Sequence, residues 1–483
     1  MIGAGVTSLA DCLPGIPNPP DILISGIALD SRKVQRGELF VACAGAAADG
    51  HDFVDKAIAR GAVAILSERP VRTRGVPVVV TPDARRRAGR IAARLAGDPS
   101  VELGCIGITG TNGKTSVAYF IAQLLSAVGE PAGYAGTLGW GFRDRLCGGG
   151  LTTEDAVTVQ RRLARLASEG ARWVALEASS HALDQDRIEA VNFDIAVFTN
   201  LTRDHLDYHG DMASYAAAKR KLFEFESLSR GVVNLDDPLG VELYRSKSVA
   251  LELLGVGHAP EADIRFGELL FDMEGTRGNL ETPWGRHEVQ VPVYGDFAFH
   301  NFATALAVSC LAGADIDRLL AAATTLRSPP GRMEFIRVSE RPVVVVDFAH
   351  TPDALQQALA AVRAHGEGRL VCVFGCGGDR DPGKRILMAE AVEGCADVAV
   401  VTNDNPRSER PEDIAEAICR GFSGAIPVEV ELDRERAIAA AVDLAGPMGV
   451  VLVAGKGHES YQEIAGERRP YSDIDAVRRV LEG

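Results

Sequence analysis

Residues 106–115 place an apolar run, a glycine-rich loop and the start of a helical pattern in direct succession. A buried strand, a flexible loop and a helix in this order are typical of phosphate-binding loops in parallel α/β domains. The glycines let backbone N–H groups approach phosphate oxygens, and the helix N-terminus adds a favourable dipole. The motif has the short form GxxGKT, because Ile108 stands where the long form has its first glycine. The residues predicted to bind a nucleotide here are Gly110, Thr111, Asn112, Gly113, Lys114, Thr115 and Ser116.

At 483 residues the chain is too long for one hydrophobic core, and turn-forming residues divide it into three blocks. Residues 1–102 alternate short strand-like runs with helical patterns and end in a turn cluster, residues 97–100, that is typical of a linker. Residues 103–330 contain the glycine loop and end at a Ser-Pro-Pro-Gly break. Residues 331–483 alternate strand-like and helical runs, which predicts a parallel, doubly wound sheet. We therefore predict an α/β protein of three domains, with a central P-loop-type ATPase domain and a C-terminal Rossmann-like domain.

Net charge, cysteine spacing and the length of apolar stretches argue against several classes of protein. The net charge of -15 argues against a general nucleic-acid binder, although local cations can still bind an anionic substrate. Nine cysteines without CxxC spacing indicate small core residues in a reducing compartment. The N-terminal segment lacks the features of a signal peptide, and no apolar stretch is long enough to span a membrane. We expect a cytoplasmic enzyme with no membrane span and no nucleic-acid partner.

Two polar side chains are placed to hold a metal ion beside the glycine loop. Glu177 directly follows a strand-like run, and His205 lies in the loop after the next one. Ligands gather at the carboxyl ends of parallel strands, so we predict an Mg²⁺ site formed by Thr115, Glu177 and His205. Mg²⁺ prefers oxygen ligands, which favours Glu177 over His205. A zinc site built on His205 and His209 is an alternative, although no third ligand is spaced to join them.

The motifs of the three blocks together resemble the Mur ligase family, and the resemblance runs nearly end to end. The matching segments are DSR (30–32), GELF (37–40), TGTNGKTS (109–116), EASSHAL (177–183), TNLTRDHLDYHGDM (199–212), YAAAK (215–219), HN (300–301), PGRME (330–334), DFAHTPDAL (347–355), GCGGDRDPGKR (375–385), DNPR (404–407) and AGKGHE (454–459). So many ordered matches are far more specific than any one of them.

The resemblance implies a catalytic centre and a nucleotide site. Lys114, Glu177, His205 and Lys219 would be the catalytic residues, with Lys219 modified by CO₂ to a carbamate, N6-carboxylysine. A surface position of Lys219 within a short basic run is the alternative. The family positions that hold adenine, phosphate and ribose are Asn301, Arg332 and Asp347. The second asparagine of the family's HNxxN pattern is Thr304 here, so adenine contacts are expected to differ.

The resemblance also points to a site for a UDP-sugar substrate in residues 1–102 and the adjoining loops. The implied contacts are Leu29, Ser31, Thr152, Thr153, Ser179, Gln185 and Arg187. Two departures from the family fall near them. Glu154 stands where many relatives have proline, and Ala46 and Ala47 replace polar residues.

The amino-acid substrate is implied by the DNPR motif, which family members that add diaminopimelate carry. The residues matching their amino-acid contacts in residues 331–483 are Arg380, Asp404, Asn405, Pro406, Arg407, Gly455 and Glu459. Arg407 can clamp the distal carboxylate that distinguishes diaminopimelate from lysine, and Glu459 would hold the distal ammonium. An ordinary surface loop, with Arg407 paired to Glu409 or Asp404, is the alternative.

The resemblance thus implies an ATP-dependent amide ligase of peptidoglycan synthesis that works through an acyl phosphate with Mg²⁺. Its expected substrates are UDP-N-acetylmuramoyl-L-alanyl-D-glutamate, meso-diaminopimelate and ATP, and we expect a monomer. A lysine-adding muramyl ligase and a folylpolyglutamate-type ligase are the alternatives within the superfamily. Outside it, a P-loop kinase, a regulatory ATPase or a non-catalytic nucleotide-binding scaffold would share the glycine loop.

Overall fold

The computed structural model describes residues 6–45, 48–73, 75–148, 150–246, 251–366 and 368–482. The chain forms two compact units. The first is Met1–Ala262 with Thr304–Leu319, and the second is Asp263–Ala303 with Leu320–Gly483. No helix among the described residues combines the length and the apolar composition needed to cross a membrane.

The first unit begins with a small parallel sheet. Its strands, in spatial order, are Gly26–Ala28, Glu38–Ala42, Ala64–Ser67 and Val78–Val80. A short antiparallel pair, Thr7–Ser8 with Leu23–Ile24, precedes it. The helices of this region are Ala10–Cys12 and Gly50–Phe53, both 3₁₀, and Val54–Ala59, Ala84–Leu95 and Pro99–Glu102. The central strand Glu38–Ala42 is buried throughout, because helices cover both faces of the sheet.

The larger sheet of the first unit places the glycine loop at its centre. Its parallel strands, in spatial order, are Ala132–Gly136, Trp173–Glu177, Gly104–Thr109, Ile195–Phe198, Arg230–Asn234 and Glu252–Gly257. The antiparallel strands Gly139–Phe142 and Arg145–Cys147 extend one edge. The helices are Lys114–Ala127, Ala156–Ser168, Ser180–Asp184, Leu206–His209, Met212–Arg220, the 3₁₀ helix Lys221–Glu224, and Pro238–Arg245. The strands that carry the predicted phosphate and metal residues are therefore neighbours.

The second unit contains an antiparallel group and a mostly parallel sheet. The antiparallel strands are Ile264–Phe266, Leu270–Asp272, Gly275–Thr282 and Gly285–Val291. The other sheet has the spatial order Glu334–Ile336, Val343–Asp347, Val450–Ala454, Leu370–Phe374, Val398–Val401 and Val428–Val430, and only its first strand is antiparallel. The same unit contains a hairpin, Tyr461–Ile464 with Glu467–Pro470. Its helices are Pro352–Ala364, Lys384–Glu393, Pro411–Cys419, Arg434–Ala445 and Asp473–Glu482. Helices Asp296–Leu311 and Ile316–Ala323 each contribute residues to both units.

The turn cluster of residues 97–100 contains the start of a short helix that the sequence analysis did not predict. Asp98 adopts a left-handed conformation with φ 49°, and Pro99 then begins helix Pro99–Glu102. Ser100 is buried, and its Oγ accepts a hydrogen bond from the Asn192 backbone N–H at 3.1 Å. Turn residues Ala96 and Gly97 therefore lead directly into a short helix, whose first turn accommodates the proline, and the domain boundary at this cluster stays a prediction.

Candidate active site

The glycine loop has a backbone path that favours glycine at two positions. It joins strand Gly104–Thr109 to helix Lys114–Ala127. Gly110 and Gly113 have φ of 151° and 84°, which other residues adopt only at a cost. A Cβ added at Gly110 would lie 1.8 Å from Oγ1 of Thr199. The loop therefore passes too close to a neighbouring strand end for any side chain at this position.

Side-chain hydrogen bonds hold the backbone of the glycine loop in place. Lys114 Nζ donates to the carbonyl oxygens of Gly110 and Thr111 at 2.9 and 2.8 Å. Asn200 Oδ1 accepts from the Asn112 backbone N–H at 2.8 Å. These three hydrogen bonds fix backbone groups of the loop. The residues that the structure gathers in this loop and the first helical turn are Gly110, Thr111, Asn112, Gly113, Lys114, Thr115 and Ser116.

Glu177 is a fully buried carboxylate at the end of strand Trp173–Glu177. Its Oε1 accepts from the Tyr134 hydroxyl at 2.5 Å and the Thr137 backbone N–H at 3.0 Å. Its Oε2 accepts from the hydroxyls of Thr137 and Thr115, each at 3.1 Å. A buried carboxylate is costly unless its oxygens are hydrogen-bonded, and here both are. The structure thus brings two predicted metal ligands, Thr115 and Glu177, into contact, and their oxygens suit Mg²⁺.

Lys219 is buried in helix Met212–Arg220, with 1% of its surface exposed. Its Nζ lies 4.3 Å from the ring centroid of Tyr215. Burial, reinforced by the Lys114 ammonium, lowers the pKa of Lys219 well below its ordinary value, although two aspartates oppose the shift. Within the described part of the chain these aspartates act on Lys219 only through space, and no carboxylate forms an ion pair with it. This environment contradicts the surface alternative and fits an uncharged amine, the form that reacts with CO₂.

His205 lies in a cluster of rings. It has a left-handed backbone, with φ 52°, and its ring centroid is 4.9 Å from that of His181. Tyr208 and His209 complete the cluster at 4.2 and 5.5 Å from the His181 ring. Burial lowers the pKa of His181 and of His209. Among the described residues no three His, Cys, Asp or Glu side chains are grouped to hold a metal ion, so the zinc alternative of His205 with His209 finds no third ligand.

Four of the predicted UDP-sugar contacts line one cavity of about 470 Å³ in the first unit. These residues are Leu29, Ser31, Gln185 and Arg187. Arg187 Nη1 donates to the carbonyl oxygen of Thr153 at 3.0 Å, which connects the cavity to a fifth predicted contact. The cavity thus unites residues from the small sheet with residues that follow Glu177 in the chain.

The remaining UDP-sugar predictions surround the strand end at Glu177. Thr153 Oγ1 donates to the Glu177 carbonyl at 2.6 Å and accepts from the Ser179 backbone N–H at 3.0 Å. The hydroxyl of Thr152 lies 3.1 Å from that of Thr137. The departure at Glu154 has a structural partner, since its Oε1 is 2.7 Å from Arg162 Nη2. The other departures, at Ala46 and Ala47, lie outside the described residues.

The predicted nucleotide residues of the second unit are largely buried. Asn301 is 8% exposed in helix Asp296–Leu311. Arg332 stacks on the ring of Phe348, with Cζ 4.4 Å from the centroid, and its buried Nε has no hydrogen-bond partner within the described chain. Such an unpaired guanidinium nitrogen suits an anionic ligand.

Asp347 ends strand Val343–Asp347, and both of its oxygens contact the backbone. Oδ1 accepts from the Ala349 N–H and Oδ2 from the Met333 N–H, each at 2.8 Å. Burial raises the pKa of the Asp347 carboxyl, and the Arg332 guanidinium opposes this shift. The carboxylate therefore supports the loop locally, and its contact with ribose remains a prediction.

Arg407 adopts a left-handed backbone, with φ 51°, at the end of the DNPR motif. Its Nη1 donates to the carbonyl oxygen of Gly378 at 2.7 Å, and its Nε lies 3.8 Å from Glu463 Oε2. Glu409, the expected partner of the surface-loop alternative, instead accepts from Arg385 at 2.8 Å. Non-glycine residues rarely adopt this conformation, and those that do are concentrated at ligand sites. The geometry therefore favours a constrained, specific position for the guanidinium.

Asn405 and Glu459 are joined directly. Asn405 Nδ2 donates to Glu459 Oε2 at 2.9 Å. Gly455 has φ 115°, and a Cβ there would approach Asp404 Oδ2 to 3.0 Å. Pro406, which separates Asn405 from Arg407 in the sequence, is buried. The structure thus brings together six of the seven predicted amino-acid contacts, Asp404, Asn405, Pro406, Arg407, Gly455 and Glu459.

Arg380, the seventh, is exposed in the loop that follows strand Leu370–Phe374. Its Cγ is 3.8 Å from the position of a Cβ built on Gly377, and Arg407 Nη1 is 2.9 Å from the same point. A side chain at Gly377 would therefore crowd Arg407 Nη1, whereas its contact with Arg380 would be an ordinary one.

Comparison with known proteins decides the family. Three family models match successive segments: Mur ligase family, catalytic domain, at residues 23–96; Mur ligase middle domain at 108–309; and Mur ligase, glutamate ligase domain, at 331–457. The chain belongs to the Mur ligase family.

Relatives within the Mur ligase family match over nearly the whole chain. UDP-N-acetylmuramoyl-L-alanyl-D-glutamate–2,6-diaminopimelate ligases of Coxiella burnetii and Alkalilimnicola ehrlichii are 44% and 47% identical, and each alignment covers 95% of this chain and at least 95% of the relative. A solved structure of a ligase with the same name is 37% identical, with a TM-score of 0.76, and 99% of each chain is covered. This likeness confirms the predicted three-domain α/β fold class of the Mur ligases.

Some residues of this Mur ligase site were missed in the sequence. Tyr134 and Thr137, which donate to Glu177, lie outside every motif, and no spacing rule indicated them. Lys456 lies inside the AGKGHE segment and contacts Glu459, so a signal for it was present. A buried lysine next to a predicted glutamate contact could have been singled out from that segment.

Proposed function

We propose that this Mur ligase joins meso-diaminopimelate to the γ-carboxylate of D-glutamate in UDP-N-acetylmuramoyl-L-alanyl-D-glutamate, at the expense of ATP. The names of the relatives at 44–47% identity support this reaction. The observation that carries it is the constrained Arg407 beside the Asn405–Glu459 pair. A fixed guanidinium and a fixed carboxylate together suit a distal group that carries both a carboxylate and an ammonium.

The proposal assigns a role to each block of the chain. Residues 1–102 bind the UDP-sugar, residues 103–330 bind ATP and carry the reaction, and residues 331–483 bind the amino acid. The cavity around Ser31 and Arg187 supports the first assignment, and the glycine loop supports the second. An enzyme that consumes ATP and a nucleotide sugar is expected to work in the cytoplasm, and we expect a monomer.

The first chemical step is phosphoryl transfer. One oxygen of the D-glutamate γ-carboxylate attacks the γ-phosphorus of ATP, ADP leaves, and an acyl phosphate forms. The Lys114 ammonium and the loop N–H groups bind the phosphate oxygens and counter the charge that develops on them. An Mg²⁺ ion held by Thr115, Glu177, His205 and carbamylated Lys219 would add charge neutralisation at the same oxygens.

The second step forms the amide. An uncharged amine of diaminopimelate attacks the acyl carbon, the amine loses its proton, and the tetrahedral intermediate expels inorganic phosphate. The phosphate keeps the oxygen that came from the carboxylate. Arg332, with its unpaired buried Nε, is placed by the proposal on the nucleotide phosphates. Water must be kept away, because an acyl phosphate hydrolyses readily.

Phosphate release by the purified protein tests the proposal. We expect release to require ATP, UDP-muramyl dipeptide and diaminopimelate together, with lysine and glutamate far less effective. Equal release with lysine would favour the lysine-adding alternative. Release that needs no amino acid would favour an ATPase, and release with a folate and glutamate would favour the folylpolyglutamate-type ligase.

A further inference from the structure

Lys456 is a fully buried lysine that none of the steps above uses. It follows strand Val450–Ala454, and none of its surface is exposed. Its Nζ lies 2.9 Å from Glu459 Oε2, 3.1 Å from Asn405 Oδ1 and 3.7 Å from Asp404 Oδ1. A buried ammonium is stable only with such partners, so Lys456 fixes the positions of these three side chains.

These contacts determine which atoms of the pocket remain available. Asn405 Oδ1 accepts from Lys456 and from the Glu463 backbone N–H at 2.9 Å, which turns its Nδ2 towards Glu459. Glu459 Oε2 then accepts from both Asn405 and Lys456. Its other oxygen, Oε1, makes no hydrogen bond within the described part of the chain. A bound ammonium therefore has one defined acceptor on Glu459.

Lys456 also sets the charge of the pocket. Asp404 and Glu459 are two carboxylates, and the Lys456 ammonium reduces their sum to one net negative charge. Glu463 Oε2 lies 3.8 Å from Arg407 Nε and 3.9 Å from Arg468 Nε, so cations other than Lys456 neutralise this carboxylate. Without Lys456, one more negative charge would act at close range in a partly buried site, where Coulomb interactions are strong.

The two competing amino acids respond to that charge in opposite ways. The distal end of diaminopimelate carries an ammonium and a carboxylate, whereas that of lysine carries an ammonium alone. A more negative pocket repels the carboxylate of the first and attracts the lone cation of the second. We propose that Lys456 is a specificity-determining residue, which keeps the pocket selective for a zwitterionic distal group over the simple cation of lysine. This inference rests on the proposed function.

Two substitutions with opposite charge effects test it. In Lys456→Met, the ratio of kcat/KM for diaminopimelate to that for lysine should fall by about tenfold or more, with the KM for ATP unchanged. In Asp404→Asn, which removes one negative charge, the same ratio should rise. The double variant restores the original charge and should recover part of the lost selectivity. Arg469→Met, an exposed cation paired with Glu467 in the same unit, should leave the ratio unchanged.

The controls separate this inference from the proposed function. If the unsubstituted protein forms no diaminopimelate product, the proposed function itself fails. If it does, and folded Lys456→Met keeps the original ratio, the role of Lys456 is overturned. Should Lys456→Met fail to fold, Asp404→Asn decides, because a ratio that stays constant or falls there contradicts the charge argument. A merely structural lysine would lower both activities together and leave the ratio intact.

Discussion

Thr115 donates its hydroxyl to Glu177 Oε2 at 3.1 Å, so the phosphate-loop helix and the neighbouring strand end share a hydrogen bond. Thr115, the residue after the phosphate-loop lysine, is thereby held against the buried carboxylate of Glu177 at that strand end. This contact links the nucleotide loop to the predicted metal site before either ligand is bound.

Glu177→Gln should lower kcat by at least about 100-fold. Replacing a residue that only hydrogen-bonds to a metal ligand lowers activity by roughly 10- to 100-fold, and replacing the ligand itself should cost more. Tyr134→Phe is the matched control, because it removes one hydrogen bond to Glu177 but keeps the carboxylate. We expect it to lower the free energy of unfolding by about 1 kcal/mol and to retain most activity. Steady-state phosphate release and chemical denaturation measure the two effects. Equal losses of activity in both variants would contradict the assignment.

Lys219 should carry a carbamate. The lowered pKa keeps more of its amine uncharged at mildly alkaline pH than in an ordinary lysine, and only the uncharged amine adds CO₂. Carbon-13 NMR of protein equilibrated with labelled bicarbonate should show a carbamate signal that is absent from Lys219→Arg. Lys221→Arg alters a half-exposed lysine paired with Asp184 and should keep the signal. An active protein without the signal would refute the modification.

The buried position of Lys219 also has a consequence for stability. A lysine whose folded pKa lies below its unfolded value binds more protons when unfolded, so stability rises with pH between the two values. Lys219→Met removes the cost of burying a protonated lysine. The free energy of unfolding of this variant should therefore exceed that of the uncarbamylated protein most at low pH, and the difference should shrink as the pH approaches the ordinary lysine pKa. Thermal unfolding in CO₂-free buffer across that range measures the difference.

Arg407→Ala should raise the KM for diaminopimelate by about 30-fold or more, since hydrogen bonds to charged groups contribute roughly 1.5–3 kcal/mol each. The KM for ATP should stay the same. Arg410→Ala removes an exposed arginine three residues away and serves as the control. An unchanged KM for diaminopimelate in Arg407→Ala would exclude the carboxylate clamp.

Gly110→Ala should abolish nucleotide binding or destabilise the fold, because the added Cβ would lie 1.8 Å from Thr199 Oγ1. Gly129→Ala is a matched control, since Gly129 also has a positive φ, 92°, but has no atom within 4 Å of an added Cβ. Backbone strain alone costs about 1–2 kcal/mol there. Nucleotide titration and thermal unfolding of both variants separate steric clash from strain. Comparable behaviour of the two would contradict the close approach.

The buried parallel strands were the most predictable part of the fold. Runs such as Leu370–Phe374 and Val398–Val401 are continuously apolar because helices cover both faces, and they belong to the alternating pattern that predicted a parallel sheet in residues 331–483. Strands Gly275–Thr282 and Gly285–Val291 were missed, because one of their faces is exposed and their composition is polar. The alternation of apolar and polar residues along these two strands was the signal that could have predicted them.

The site was predictable where chemistry is local and less so where it depends on long-range contacts. The glycine loop and Glu177 could be placed from strand–loop–helix order. The groups that surround Glu177 could not be predicted, because Tyr134, for example, is 43 positions away in the sequence. The burial of Lys219 likewise depends on packing that its basic neighbours in the sequence conceal.

Oxygen-18 transfer tests the central claim, an acyl phosphate on the D-glutamate γ-carboxylate, most directly. The UDP-muramyl dipeptide is labelled in that carboxylate, and complete turnover is run with ATP and diaminopimelate. We predict that each inorganic phosphate carries one labelled oxygen and that the new amide retains the other. Unlabelled phosphate, with product formed, would contradict the account.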